Sequence, residues 1–365
     1  MMKKVCIAAM GPGETSQAVA FATYLSEHNV RVAFALQFEN TIPFVKTAAL
    51  AQATATHTPD YESLTNWLAQ EKPDAFVMCN SKMFNRNEAF HRSRPTQAPI
   101  FSIDSNWLFS TAPDTAFKFA PWIDMYLINI PEKVFHLGLS AEGGAYQIPD
   151  EIMKKIRVVG LIPSYRKISA ATIQDVRTQY GIGDDEKMIF SYGGSGVTTL
   201  SESIQKLFPA VSELIHSGRK IKVLFAGPLT SIAEEYRTAP WLIHRDSLDA
   251  THYYESLASA DLVYQHQGLG TLAQAIAAEI PTIANVVLPP ATKVEHTHDW
   301  EVRPFVRAGA CSMFYFDEPI ASRVKEIEAL LYNENRRSEM RARQKELYNN
   351  GEEEALRVIT DYVNQ

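Results

Sequence analysis

The chain has 365 residues, 46% of them hydrophobic and 21% charged, a globular composition with room for two domains of ordinary size. Its formal net charge of −7 gives a nucleic-acid partner no electrostatic support. No run approaches the length of a membrane span, the first apolar run is too short for a signal peptide, and Cys6, Cys79 and Cys311 sit far apart in apolar runs, as reduced core residues do. These features predict a cytoplasmic protein with no integral membrane segment; they leave its oligomeric state open.

From the N-terminus, residues 5–10 read as a buried parallel strand ending in Gly11-Pro12-Gly13, residues 15–25 as a helix and residues 31–36 as a second strand. This is a βαβ unit whose first loop points at the carboxyl edge of its sheet. Gly11-x-Gly13 lacks the third glycine of a dinucleotide fingerprint. Strands are predicted at 51–56, 75–79, 99–103 and 125–130, and helices at 61–70 and 82–92. The aromatic segment 107–122 has no clean period and fits either core packing or a pocket wall. Residues 157–163 read as the last strand of a first domain, running into a polar, basic linker at 164–171.

The alternation then repeats. Strands are expected at 187–192, 222–226, 242–245, 262–264, 282–288 and 311–316, and helices at 200–216, 251–258, 271–278, 300–307, 320–332, 334–348 and 352–362. The fold class is therefore α/β, with parallel sheets covered on both faces by helices.

Two glycine turns stand out. Gly193-Gly194-Ser195-Gly196 follows the first strand of the second half, offering backbone N–H groups and a hydroxyl to a phosphate or sugar; the alternative is a flexible loop. His266-x-Gly268-x-Gly270-Thr271 joins a strand to a helix whose N-cap falls near Gly270 or Thr271. Unpaired N–H groups and the positive helix end converge there, and glycine lets an anion approach the backbone. The turn alone is equally compatible with a connection that binds nothing.

The order His266-x-Gly268-x-Gly270-Thr271-x-x-Gln274-Ala275, followed by Ile280-Pro281, resembles the donor-site motif of GT-B glycosyltransferases, in particular the natural-product enzymes and the peptidoglycan N-acetylglucosaminyltransferases. The resemblance implies two doubly wound Rossmann-like domains with a cleft between them: residues 1–163 for the acceptor, 164–350 for the donor, and 351–365 as a helix crossing back. It implies transfer of a sugar from a UDP- or dTDP-sugar to the hydroxyl of a small-molecule or lipid-linked acceptor. In that family the histidine and the turn amides hold the diphosphate, and a glutamate takes the ribose hydroxyls. Gln274 stands at the glutamate position, and an amide accepts less strongly than a carboxylate. Glu279 stands where the last glycine is usual.

Further roles follow from the same resemblance. Gly193, Gly194 and Ser195 match its Gly-Ser turn. Asp299 and Trp300 align with a segment that holds donor-sugar hydroxyls, and only the aspartate matches. The family's catalytic histidine position falls on Glu14, and Asp104 resembles that histidine's partner, so these two carboxylates are the candidate base and its neighbour. Glu14 equally suits a helix N-terminus on dipole grounds. His296 and His298 do not share a helix face and have no evident third ligand, and no Asp-x-Asp occurs, so no metal is expected and no cofactor beyond the nucleotide sugar. Two other readings remain: a nucleotide-sugar epimerase or hydrolase of the same fold, and a non-catalytic nucleotide-sugar-binding protein.

Overall fold

The computed structural model describes residues 2–47, 50, 53–80, 93–105, 121–139, 148–163, 167–192, 204–266, 268–286 and 299–365. The chain divides into two compact units: Met1–Ser164 with Asn349–Gln365, and Tyr165–Tyr348.

The first unit contains, in chain order, β1 (Lys4–Ala9), α1 (Pro12–Glu27), β2 (Arg31–Leu36), α2 (Ile42–Thr47), β3 (Thr54–His57), α3 (Tyr61–Glu71), β4 (Ala75–Cys79), β5 (Ile100–Asp104), β6 (Met125–Ile128), α4 (Glu132–Leu139), α5 (Asp150–Met153) and β7 (Ile156–Val158). Its seven strands are parallel, in the order β3-β2-β1-β4-β5-β6-β7. The central strands are apolar at nearly every position because both faces are covered. The edge strand β3 is short, polar and largely exposed, which discourages pairing with another chain.

The second unit contains α6 (Ala170–Gln179), β8 (Lys187–Tyr192), α7 (Leu207–His216), β9 (Ile221–Ala226), β10 (Leu242–Arg245), α8 (Ala250–Ala258), β11 (Leu262–His266), α9 (Leu269–Ala277), β12 (Thr282–Val286), α10 (Asp299–Arg307), β13 (Ser312–Tyr315), α11 (Ile320–Tyr332) and α12 (Glu334–Leu347). Six parallel strands run β10-β9-β8-β11-β12-β13. Apolar clusters fill both faces, one around Phe208, Phe225 and Tyr264, the other around Phe190, Leu224 and Val263. In each sheet the strand order reverses once, between β1 and β4 and between β8 and β11. Ligands of such sheets bind beyond the strand carboxyl ends at that reversal.

The last helix, α13 (Gly351–Val363), belongs to the first unit. Ala355, Val358 and Ile359 join the core formed by β1, β2 and α1, and Tyr362 meets Phe101 edge to face at 5.5 Å. This return explains where the sequence expectation of a strand over 157–163 goes wrong. The ladder stops at Val158, because Gly160 takes φ +95° and the chain turns toward α13. Its carbonyls then serve the start of that helix: Asn349 Nδ2 donates to Val159 O at 3.2 Å and Gly351 N donates to Leu161 O at 3.0 Å. A Cβ on Gly351 would lie 2.3 Å from Leu161 O, so only glycine permits this approach.

The expected helix over 82–92, the aromatic segment as far as residue 120 and the start of the helix expected from residue 200 lie outside the described residues. Among the described residues, no helix is long and apolar enough to cross a membrane.

Candidate functional site

In the first unit, four neighbouring strands deliver polar groups to the carboxyl edge. Gly11 caps α1 with an extended backbone, and Pro12 takes the first helical position, where its missing N–H costs nothing. The helix therefore begins three residues earlier than the apolar pattern suggested. Glu14 lies in its first turn with the carboxylate folded back over Gly11, since a Cβ there would come 2.9 Å from Glu14 Oε2. Asn80 follows β4 with φ +79° and donates from Nδ2 to Glu14 Oε1 at 3.5 Å. Asp104 ends β5, is buried, and accepts from Ser102 Oγ at 2.5 Å. Asn129, just after β6, is buried and donates its backbone N–H to Asp104 O at 2.8 Å.

Electrostatics tie the two carboxylates to one neighbourhood. The Cys79 thiol, at the end of β4, is pushed far above its usual range by burial first, then by the charges of Glu14 and Asp104. Asp104 also adds to the burial that raises the Tyr126 phenol. A buried thiol raised in this way is inert, so Cys79 is a core residue.

In the second unit, β11 ends at His266 and Gly268 is the N-cap of α9. The sequence expectation put this cap at Gly270 or Thr271. The turn is tighter because Gly268 adopts φ +135° and ψ +144°, a region open to glycine, which lets the helix start at Leu269. Gly268 has no side chain to cap α9, and among the described residues no side-chain cap bond is made there. The His266 ring lies above the turn, with Nε2 3.8 Å from where a Gly268 Cβ would be. Gly270 is exposed, and among the described residues no heavy atom outside its own helix backbone comes within 4 Å of its would-be Cβ. Among the described residues, the space beside Gly270 in the first turn of α9 is open.

The turn is fixed from below by residues that the sequence reading did not single out. Gln265 is buried and donates to Gly268 O at 3.4 Å, and Asn285, on the adjacent strand β12, donates to Gln265 O at 2.9 Å. A glutamine and an asparagine inside apolar strands are the only hint of this in the sequence. Thr271 bonds to Tyr253 Oη at 2.8 Å. Gln274 is 7% exposed, and its Oε1 has no hydrogen-bond partner among the described residues. Such an orphaned acceptor costs about 1–3 kcal/mol unless something occupies it.

Other candidates cannot be placed this way. Gly193, Gly194 and Ser195 lie outside the described residues, as do His296 and His298. Asp299 and Trp300 open α10, but their side chains lie outside the description. Among the described residues, no group of three His, Cys, Asp or Glu is arranged to hold a metal ion.

No protein-family model matches the chain. A curated relative, the UDP-N-acetylglucosamine–N-acetylmuramyl-(pentapeptide) pyrophosphoryl-undecaprenol N-acetylglucosamine transferase of Carboxydothermus hydrogenoformans, is 26% identical over 160 residues, which is 43% of this chain. The match spans 41% of that relative's length. The glycosyltransferase SnogD from Streptomyces nogalater superposes with a TM-score of 0.64 at 15% identity, covering 98% of this chain and 99% of that one. The UDP-GlcNAc 2-epimerase from Neisseria meningitidis, bound to UDP-GlcNAc, gives 0.66 at 12% identity, covering 99% of this chain and 100% of that one.

Proposed function

We propose that this chain, whose two doubly wound parallel-sheet units form the GT-B fold, is a glycosyltransferase that moves a sugar from a nucleotide-diphosphate sugar to an acceptor hydroxyl. The observation that carries the reading is the β11–α9 turn. A glycine in a conformation closed to other residues brings the helix-start amides and His266 together at the strand-order reversal, at a spot open among the described residues. Such a spot suits a diphosphate: the amides and helix dipole meet the charge, and imidazole donates to a phosphate oxygen. The same groups stabilise the diphosphate as it leaves, which needs no metal. Gln274 supports the reading, because a ribose hydroxyl would satisfy its orphaned Oε1.

The proposed base lies in the first unit. Glu14 accepts the proton of the acceptor hydroxyl, and Asp104, buried and hydrogen-bonded by Ser102, is the second carboxyl group of that neighbourhood. The acceptor is a small molecule or a lipid-linked sugar, and UDP- or dTDP-sugars are the proposed donors.

Thermal unfolding with UDP, dTDP and GDP tests the donor half. A nucleotide present at a hundred times its Kd adds about 2.7 kcal/mol of stability, and no shift with any of the three removes the proposal. The similarity to an epimerase favours one second reading, a nucleotide-sugar epimerase or hydrolase. Incubation with donor alone separates the two, since free nucleotide formed without acceptor belongs to the second.

A further inference from the structure

Thr271 is the third residue of α9, and among the described residues its hydroxyl has one hydrogen bond, to Tyr253 Oη at 2.8 Å. Tyr253 comes from the first turn of α8, eighteen residues earlier. Its ring is held edge-on by Phe190 and Tyr192 of β8, at centroid distances of 5.3 and 5.2 Å, and by Tyr254 at 5.6 Å. Three aromatic rings thus hold the Tyr253 ring, and with it one phenol oxygen, against the start of α9. Burial pushes that phenol well above its usual range, so it stays a neutral O–H at any working pH.

The polarity of this bond has a consequence. A phenol is far more acidic than an aliphatic alcohol, and so is the better donor of the two. Tyr253 therefore donates and Thr271 Oγ1 accepts. With its oxygen engaged from within the fold, the threonine keeps its own proton for a second acceptor. Hydrogen bonds in such a chain polarise one another, so the outer one gains strength from the inner one.

We propose that Tyr253 is a positioning residue for the donor diphosphate: its O–H fixes the Thr271 hydroxyl so that the threonine proton is donated to a phosphate oxygen at the start of α9. This rests on the reading of the β11–α9 turn as the diphosphate site. The relay deepens that reading by adding an outward O–H to the backbone amides, and it makes a buried tyrosine of a different helix part of phosphate affinity.

The experiment is a double-mutant cycle on nucleotide binding, with the protein free of other ligands. The probe is whichever of UDP, dTDP and GDP binds the wild type most tightly, alongside its own nucleoside, which lacks phosphate. Tyr253→Phe should weaken the diphosphate about three- to tenfold, the worth of one hydrogen bond, and leave the nucleoside unchanged. In the Thr271→Val background Tyr253→Phe should have no further effect, whereas in Thr271→Ser, which keeps the hydroxyl, it should regain its full effect. A purely structural tyrosine would weaken diphosphate and nucleoside alike, or act equally in the valine background; either result overturns the relay, as does a neutral Tyr253→Phe. Wild-type protein that binds none of the three nucleotides overturns the diphosphate site and the relay with it.

Discussion

Replacing Glu352 by Gln should stabilise the first unit at alkaline pH and leave it unchanged in acid. Glu352 is the second residue of α13, where the helix dipole and its own backbone amide favour a carboxylate. Burial opposes them and wins. The residue is 7% exposed, and desolvation raises its carboxyl from 4.5 to about 8. The tight approach of Gly351 to the Leu161 carbonyl leaves no freedom for this turn to swing the carboxyl outward. The sign follows from counting protons. Between 4.5 and about 8 the unfolded chain has lost the proton and the folded chain has kept it, so stability falls as pH rises through that window. At ~1.4 kcal/mol per pH unit the full gap amounts to a ceiling of ~5 kcal/mol. Local relaxation and water entry reduce the cost of a buried charge, so about 2 kcal/mol is the expected loss. Glutamine keeps the shape and never ionises. Urea unfolding of wild type and Glu352→Gln, near pH 4.5 and near pH 8.5, measures the difference; hydrogen exchange of β1 and α13 peptides isolates the first unit's transition. The two proteins should match near pH 4.5, and the variant should lead by about 2 kcal/mol near pH 8.5. A variant no more stable than wild type at the higher pH, or a difference that does not change with pH, would refute the reasoning. The neighbouring Tyr24 does not confuse the measurement, because burial, Glu353, Glu352 and Glu27 all hold its phenol above its usual range.

Three further outcomes follow from the site. Gly270→Val should fold normally, since among the described residues nothing outside its own helix backbone lies within 4 Å of its Cβ, and should abolish nucleotide binding by filling the space over the helix amides; a folded variant with unchanged affinity would remove the diphosphate from this turn. Glu14→Gln should reduce turnover roughly 10²–10⁴-fold and barely alter donor affinity; near-wild-type turnover would pass the base role to Asp104. EDTA should leave turnover within a factor of about two, far less than the loss of one catalytic contact; activity lost and then restored by magnesium or manganese would contradict metal-independent transfer.

The sequence by itself determined the fold class and most of the secondary structure. Parallel strands covered on both faces are unbroken apolar runs, so β1, β2, β4, β8 and β9 are visible as segments such as Val5-Cys6-Ile7-Ala8-Ala9 between turn residues. The strand–turn–helix that carries His266, Gly268 and Gly270 was legible for a similar reason, because its three parts are consecutive in the chain. Local pattern was less informative about where elements stop. The strand expected over 157–163 ends at Val158, and α9 begins at Leu269, because in both places a glycine with positive φ redirects the backbone, at Gly160 toward a segment distant in the chain.

Only the tertiary structure decided which residues meet. Strand order put the loops after β1, β4 and β5 side by side, bringing Asn80 to Glu14 across 66 residues of chain. Tyr253 reaches Thr271 from another helix, and Asn349 reaches Val159 across 190 residues. Glu352 illustrates the physical reason most plainly. On local grounds it is an ordinary acidic residue in the first turn of a helix, stabilised by the dipole. Its carboxyl is forced toward the neutral form because α13 packs back onto the first unit, and burial is a property of the whole fold, which no window of neighbouring residues contains.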